Sequence, residues 1–141
     1  MRRSLIGVVL GLAVFLAACG SRADTGTVQI TLSDFAIKTS QTQFTAGKSY
    51  HFVVKNTSQS AHEFMIMPQM ANMGAMSMDD AHQMALAMVD MVGAGETKTL
   101  DYTFTGDTSM PGMGMTQALE FDCMFSGHYD AGMHAAITVK S

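Results

Sequence analysis

The sequence predicts an all-β fold, a sandwich or barrel, because short β-rich runs recur and turn-forming clusters separate them. Residues 27–32 (Thr-Val-Gln-Ile-Thr-Leu) alternate polar and apolar, the period of a strand with one buried face. Residues 34–37 follow as a second strand, and 41–45 as a third that leads into Ala46-Gly47-Lys48 as a turn. Residues 50–55 (Tyr-His-Phe-Val-Val-Lys) make a fourth strand, closed by Asn56-Thr-Ser. Later strands are expected over 97–105, 118–123 and 135–140.

The middle of the chain has a different composition. Fourteen of the fifteen methionines lie at or after position 65, and nine fall between Met65 and Met91. Met65, Met67, Met70, Met73, Met76 and Met78 punctuate an expected loop that also holds Pro68, Asn72 and Gly74. Residues 79–92 read as a helix, with Ser77 or Asp79 as N-cap and Gly93 past its end. Met84, Met88 and Met91 then share one helical face at i, i+4, i+7.

The N-terminus reads Met-Arg-Arg, an apolar run of about a dozen residues, then Leu16-Ala-Ala-Cys19. That run is short of the roughly 20 residues a membrane-spanning helix needs, so it reads as a secretory signal ending in small residues. It resembles a bacterial lipoprotein signal with its lipobox. The resemblance implies cleavage before Cys19, lipidation of that thiol, and anchoring on the extracytoplasmic side of a membrane without spanning it. Gly20 after Cys19 suits outer-membrane sorting in a cell with two membranes, which would make the protein periplasm-facing. Residues 19–26 form a lipidated tether. The 123 residues after position 18 are enough for one core. Without Arg2 and Arg3 they carry six Lys and Arg against twelve Asp and Glu, a net charge of −6, which argues against nucleic acid as a partner.

Only two cysteines occur, Cys19 and Cys123. If lipid takes the first, the second is a lone thiol outside the cytoplasm, where metal ligation would protect it from oxidation. Cys123 opens the spacing Cys123-x4-His128-x4-Met133, with Gly127 and Gly132 inside the loop where sharp bends are useful. A thiol, an imidazole and a thioether in one tight loop, joined by the distant His62, are the donor types of a trigonal His2Cys copper site with a weak axial Met.

On those residues the chain resembles the cupredoxins, the type 1 (blue) copper family, over about residues 27–139. The resemblance implies a Greek-key β-sandwich over 27–141 with one short helix in an insert. It also implies one copper ion held by His62, Cys123, His128 and Met133, with His128 as the exposed edge for electrons. Glu63 stands where many relatives carry a residue that hydrogen-bonds the Cys loop and tunes the potential. Here it is a carboxylate, and Ser126 replaces the Pro common before Gly-His in the family. Four protein ligands leave no open position for substrate, so the expected function is electron transfer between redox partners rather than catalysis.

The methionine excess leaves two readings open. On the first, Met84, Met88 and Met91 are the buried face of the helix and the loop methionines are gap-fillers. Alternatively Met70, Met73, Met76 and Met78, with Met110, Met113 and Met115, bind extra Cu(I), since soft donors select soft ions. The second reading makes the protein a copper-handling lipoprotein with copper-delivery partners. His51 is read as an ordinary strand residue, His134 as the start of the last strand, and His82 as a neighbour of the methionine stripe.

Overall fold

The computed structural model describes residues 26–105 and 118–140. Cys19, the signal segment and Met110, Met113 and Met115 lie outside the described residues. Among the described residues, nine strands form two sheets, and one short α-helix interrupts them. The strands are β1 Gly26–Ser33, β2 Ala36–Thr39, β3 Gln43–Thr45, β4 Ser49–Asn56, β5 His62–Pro68, β6 Ala87–Val92, β7 Thr97–Thr103, β8 Leu119–Asp122 and β9 His134–Lys140. Gly26, assigned to the tether from sequence, opens β1 and pairs with Tyr50.

The first sheet has the order β2-β1-β4-β7 and the second β3-β9-β8-β5-β6. Two pairings are parallel, β1 with β4 and β3 with β9. Alternation does the sorting in the first sheet: Val28, Ile30 and Leu32 of β1 and Phe52 and Val54 of β4 point inward to meet Phe64, Ile66 and Phe121 of the second. Phe44 sits at the centre of the aromatic packing, with ring centroids 4.9 Å from Tyr50, 4.6 Å from Phe104 and 5.7 Å from Phe121. The outcome is the all-β sandwich expected, with a short α-helix in the insert.

Two expectations for the Met-rich region are corrected. Helix α1 covers Met78–Met84 only, and residues 87–92 are strand β6, not its continuation. Ser77 is the N-cap, its hydroxyl accepting from the Asp80 N–H at 3.2 Å. Ala85 leaves the helical region at ψ 129°, and Leu86 N–H donates to the Ile66 carbonyl, so the chain zips onto β5. The Met84, Met88, Met91 spacing matched a helical period, but pairing with β5 overrode it, and Met91 points to solvent at 53% exposure.

Met65 and Met67 are likewise on β5, not in a loop. Every residue of β5 and β8 is buried. These adjacent inner strands have the sandwich core on one face and the insert on the other, so alternation was not there to read. Met65, Met67, Met73, Ala81 and Met124 form a second apolar cluster under the insert, with Met70, Met76, Met84 and Met88 packed around it. Met78 is 40% exposed.

Candidate metal centre

The loop after β8 closes tightly. Cys123 N–H donates to the Met133 carbonyl at 3.2 Å and Met133 N–H to the His128 carbonyl at 3.0 Å, which pins the loop ends together. Gly127 and Gly132 take φ values of 80° and 103°, the left-handed bends expected of them. Cys123 and Met133 are fully buried against the main core, while His128 is half-buried at the end of the sandwich.

His62 arrives from the first position of β5, where the register with β6 shifts between His62 and Phe64. Such a bulge re-aims a side chain beside a functional site. The result is convergence: ligand atoms of His62, Cys123 and His128 all lie within 4.8 Å of one another. His62 Nδ1 is 3.3 Å from His128 Nδ1, which is 3.5 Å from Cys123 Sγ. Both imidazoles therefore present Nδ1 to the sulfur.

A hydrogen-bond chain not foreseen from sequence explains why His62 does so. Buried Asn56 donates to the Ser60 and Val92 carbonyls at 2.7 and 2.9 Å, and its Oδ1 accepts from the Ser58 N–H and hydroxyl. With the Ser58 proton committed to Asn56 or the Ser60 carbonyl, its oxygen accepts from His62 Nε2–H at 2.8 Å. That selects the tautomer whose Nδ1 lone pair is free for a metal. Asn56-Thr-Ser58 carried the signal, an Asx turn two residues long, but was read only as a strand terminator.

Glu63, the residue in the bulge, is fully buried on the opposite face. Its carboxylate accepts from the Met124 N–H at 2.8 Å, the contact with the Cys loop that the resemblance implied, and pairs with His82 Nε2 at 2.8 Å. Through Glu63 the insert is tied to the metal loop. His51 instead pairs with its cross-strand neighbour Asp101 at 2.6 Å, and His134 opens β9, as expected.

The electrostatics suit a metal that displaces a proton from sulfur. Burial lowers the pKa of His62, with His128 adding to the fall and Asp34 opposing it, so the imidazole is neutral at pH 7. Burial pushes the Cys123 thiol up to about 11, against the backbone N–H groups of Glu63 and Phe125, which favour the thiolate. Below that pH a bound metal must expel one proton. Metal affinity is therefore expected to rise roughly tenfold per pH unit above pH 7. Competition with a chelator of known pH dependence measures it, and a flat profile would mean that Cys123 is not a ligand.

Two imidazoles, one thiol and a buried thioether are a donor set for copper: sulfur favours Cu(I) and imidazole accepts Cu(II). No protein-family model matches the chain, and no curated protein matches it in sequence. Solved structures do. Reduced auracyanin from the photosynthetic bacterium Roseiflexus castenholzii superposes with a TM-score of 0.60 at 22% identity, covering 84% of this chain and 99% of that one. Rusticyanin from Thiobacillus ferrooxidans gives 0.59 at 15%, covering 81% and 77%. Auracyanin A, described as a "blue" copper protein from Chloroflexus aurantiacus, gives 0.53 at 20%, covering 82% and 100%. The two sheets, the loop between β8 and β9 and these neighbours together identify the fold of this chain as that of the cupredoxins.

Proposed function

We propose that this protein is a membrane-tethered type 1 copper protein that carries single electrons between redox partners outside the cytoplasm. The observation that carries the reading is the convergence of His62 Nδ1, His128 Nδ1 and Cys123 Sγ at one end of the sandwich, with Met133 buried beside them. A bound type 1 copper supplies a one-electron couple, Cu(II)/Cu(I), both states of which accept this donor set.

The chain's own residues keep that donor set still. Asn56 and Ser58 hold the His62 ring, the Cys123 and Met133 backbones clamp each other, and Glu63 holds the Met124 amide. Little then moves when one electron is gained or lost. His128 is the exit: its half-buried ring lies edge-on to Phe35 at 5.4 Å and 5.7 Å from Phe125. Phe35 is 51% exposed and held at φ 57°, a conformation uncommon for a bulky residue and a mark of functional strain. An apolar rim around an exposed ligand edge suits brief docking of a redox partner.

Voltammetry of the copper-loaded protein tests the reading: one reversible one-electron wave is expected, and a wave that disappears on cycling would overturn it. Met133→Leu removes a weak axial donor and makes the buried site more apolar, which penalises Cu(II) more than the less charged Cu(I), so copper and colour should stay while the potential rises. Loss of stoichiometric copper would make Met133 a strong ligand instead.

The proposed anchoring rests on Leu16-Ala-Ala-Cys19. Cys19→Ser is expected to shift the protein from the detergent phase to the aqueous phase, or to leave it unprocessed. Unchanged partition and mass would exclude the lipid anchor. A second reading, copper handling for trafficking or resistance, is favoured by the dense methionine packing under the insert.

A further inference from the structure

The outer face of the second sheet carries a chemistry that the proposed electron carrier does not use. Along β8, Leu119 and Phe121 face the sandwich core, as does Cys123 beyond its end, so Glu120, Asp122 and Met124 face the insert. Register places Met65 of β5 directly opposite Asp122, Met67 opposite Glu120, and Met88 of β6 on the other side of Met65. Direct neighbours on one face of a sheet have Cβ atoms about 5 Å apart, and diagonal ones such as Met65 and Met124 are within reach of long side chains.

Three carboxylates are buried in this layer, and their partners differ. Glu63 accepts from the Met124 amide and pairs with His82. Glu120 accepts from the Tyr129 hydroxyl at 2.9 Å and the Gln69 amide at 3.3 Å. Asp122, 0% exposed, has no hydrogen-bond partner on either oxygen among the described residues. An unpartnered buried carboxylate is costly and calls for an explanation. A cation supplies both charge and contact.

Its neighbours select the kind of cation. Hard divalent ions need six or more oxygen ligands, whereas this layer offers mainly thioethers, which select Cu(I). One carboxylate balances one monovalent charge. A cleft of about 240 Å³ between insert and metal loop leads as far as Met124, with Met76, Met78, Tyr129 and Asp130 also in its wall, while Asp122 and Met65 lie outside that wall. Met78 stands at the surface and Met124 on the buried side. We propose that Asp122, Met65 and Met124 form a second copper site, specific for Cu(I), in the layer between the Met-rich insert and the second sheet. This moves the extra Cu(I) from the exposed loop methionines to the sheet face beneath them.

The test titrates Cu(I) against a coloured Cu(I) chelator, using protein whose first site has been filled and scored by its blue band on oxidation. The wild type is expected to take one further Cu(I), and Met65→Leu/Asp122→Asn to lose it while keeping the band. No further Cu(I) in the wild type, or its retention in the double variant, overturns the proposal. A wild type without a blue band counts against the proposed electron-carrier function and not against this site. Should the double variant fail to fold, methyl resonances of ¹³C-labelled methionines in the wild type decide. Movement of Met65 and Met124 with the second equivalent supports the site, and movement confined to other methionines overturns it.

Discussion

Cys123→Ser is expected to abolish the intense thiolate-to-copper absorption and to leave the protein unable to retain copper against a chelator. The sulfur is fully buried, 3.5 Å from His128 Nδ1 and inside the triad of converging ligands. A serine hydroxyl in the same place is nearly isosteric but supplies no soft anionic donor. The fold should survive, because the replacement buries one small hydroxyl at a cost of about 1–3 kcal/mol. Visible spectroscopy and copper analysis of the folded variant check the prediction. Colour that persists would mean that the sulfur ligand lies elsewhere.

Glu63→Ala should be the most damaging single change near the site that spares every ligand. The carboxylate has no exposure and serves two partners on different elements, the Met124 amide and the His82 ring. Removing it leaves a buried N–H unpaired beside Cys123 and releases the insert from the metal loop. The loss is expected at about 2–4 kcal/mol, read as a lower denaturant midpoint with a changed blue band. Glu63→Gln keeps an acceptor for the Met124 amide and should lose less than half as much. Equal effects of the two variants would show that charge, and not the hydrogen bond, is what Glu63 contributes.

Both arguments rest on residues whose chemistry was visible in the chain and whose geometry was not. His62, Cys123, His128 and Met133 were legible because metal chemistry restricts donor types and because three of them share one loop. Glycines 127 and 132 could be placed at left-handed bends for a local steric reason, and Ser77 could be placed as a helix cap for a local hydrogen-bonding one. Alternation in β1 and β4 was equally readable, since one face of each is buried and the other is not.

The insert resisted the same reasoning. Residues 84–92 satisfy a helical period, and only backbone pairing with β5, whose partners run from Ile66 opposite Ala87 to His62 opposite Val92, makes 87–92 a strand. Met65 and Met67 looked like loop residues because a strand covered on both faces shows no period. Asn56 and Ser58 looked like a strand end, and became the support of His62 only once the bulge brought its ring back to them.

By itself, then, the sequence determined the all-β class, the donor set of the metal centre, and the local bends and caps, because each depends on neighbours within a few residues. Tertiary structure alone decided which nitrogen each histidine presents, that Glu63 joins insert to metal loop, and that Asp122 is buried without a partner opposite Met65. Those outcomes depend on strand register, and register is set by packing between segments far apart in the chain.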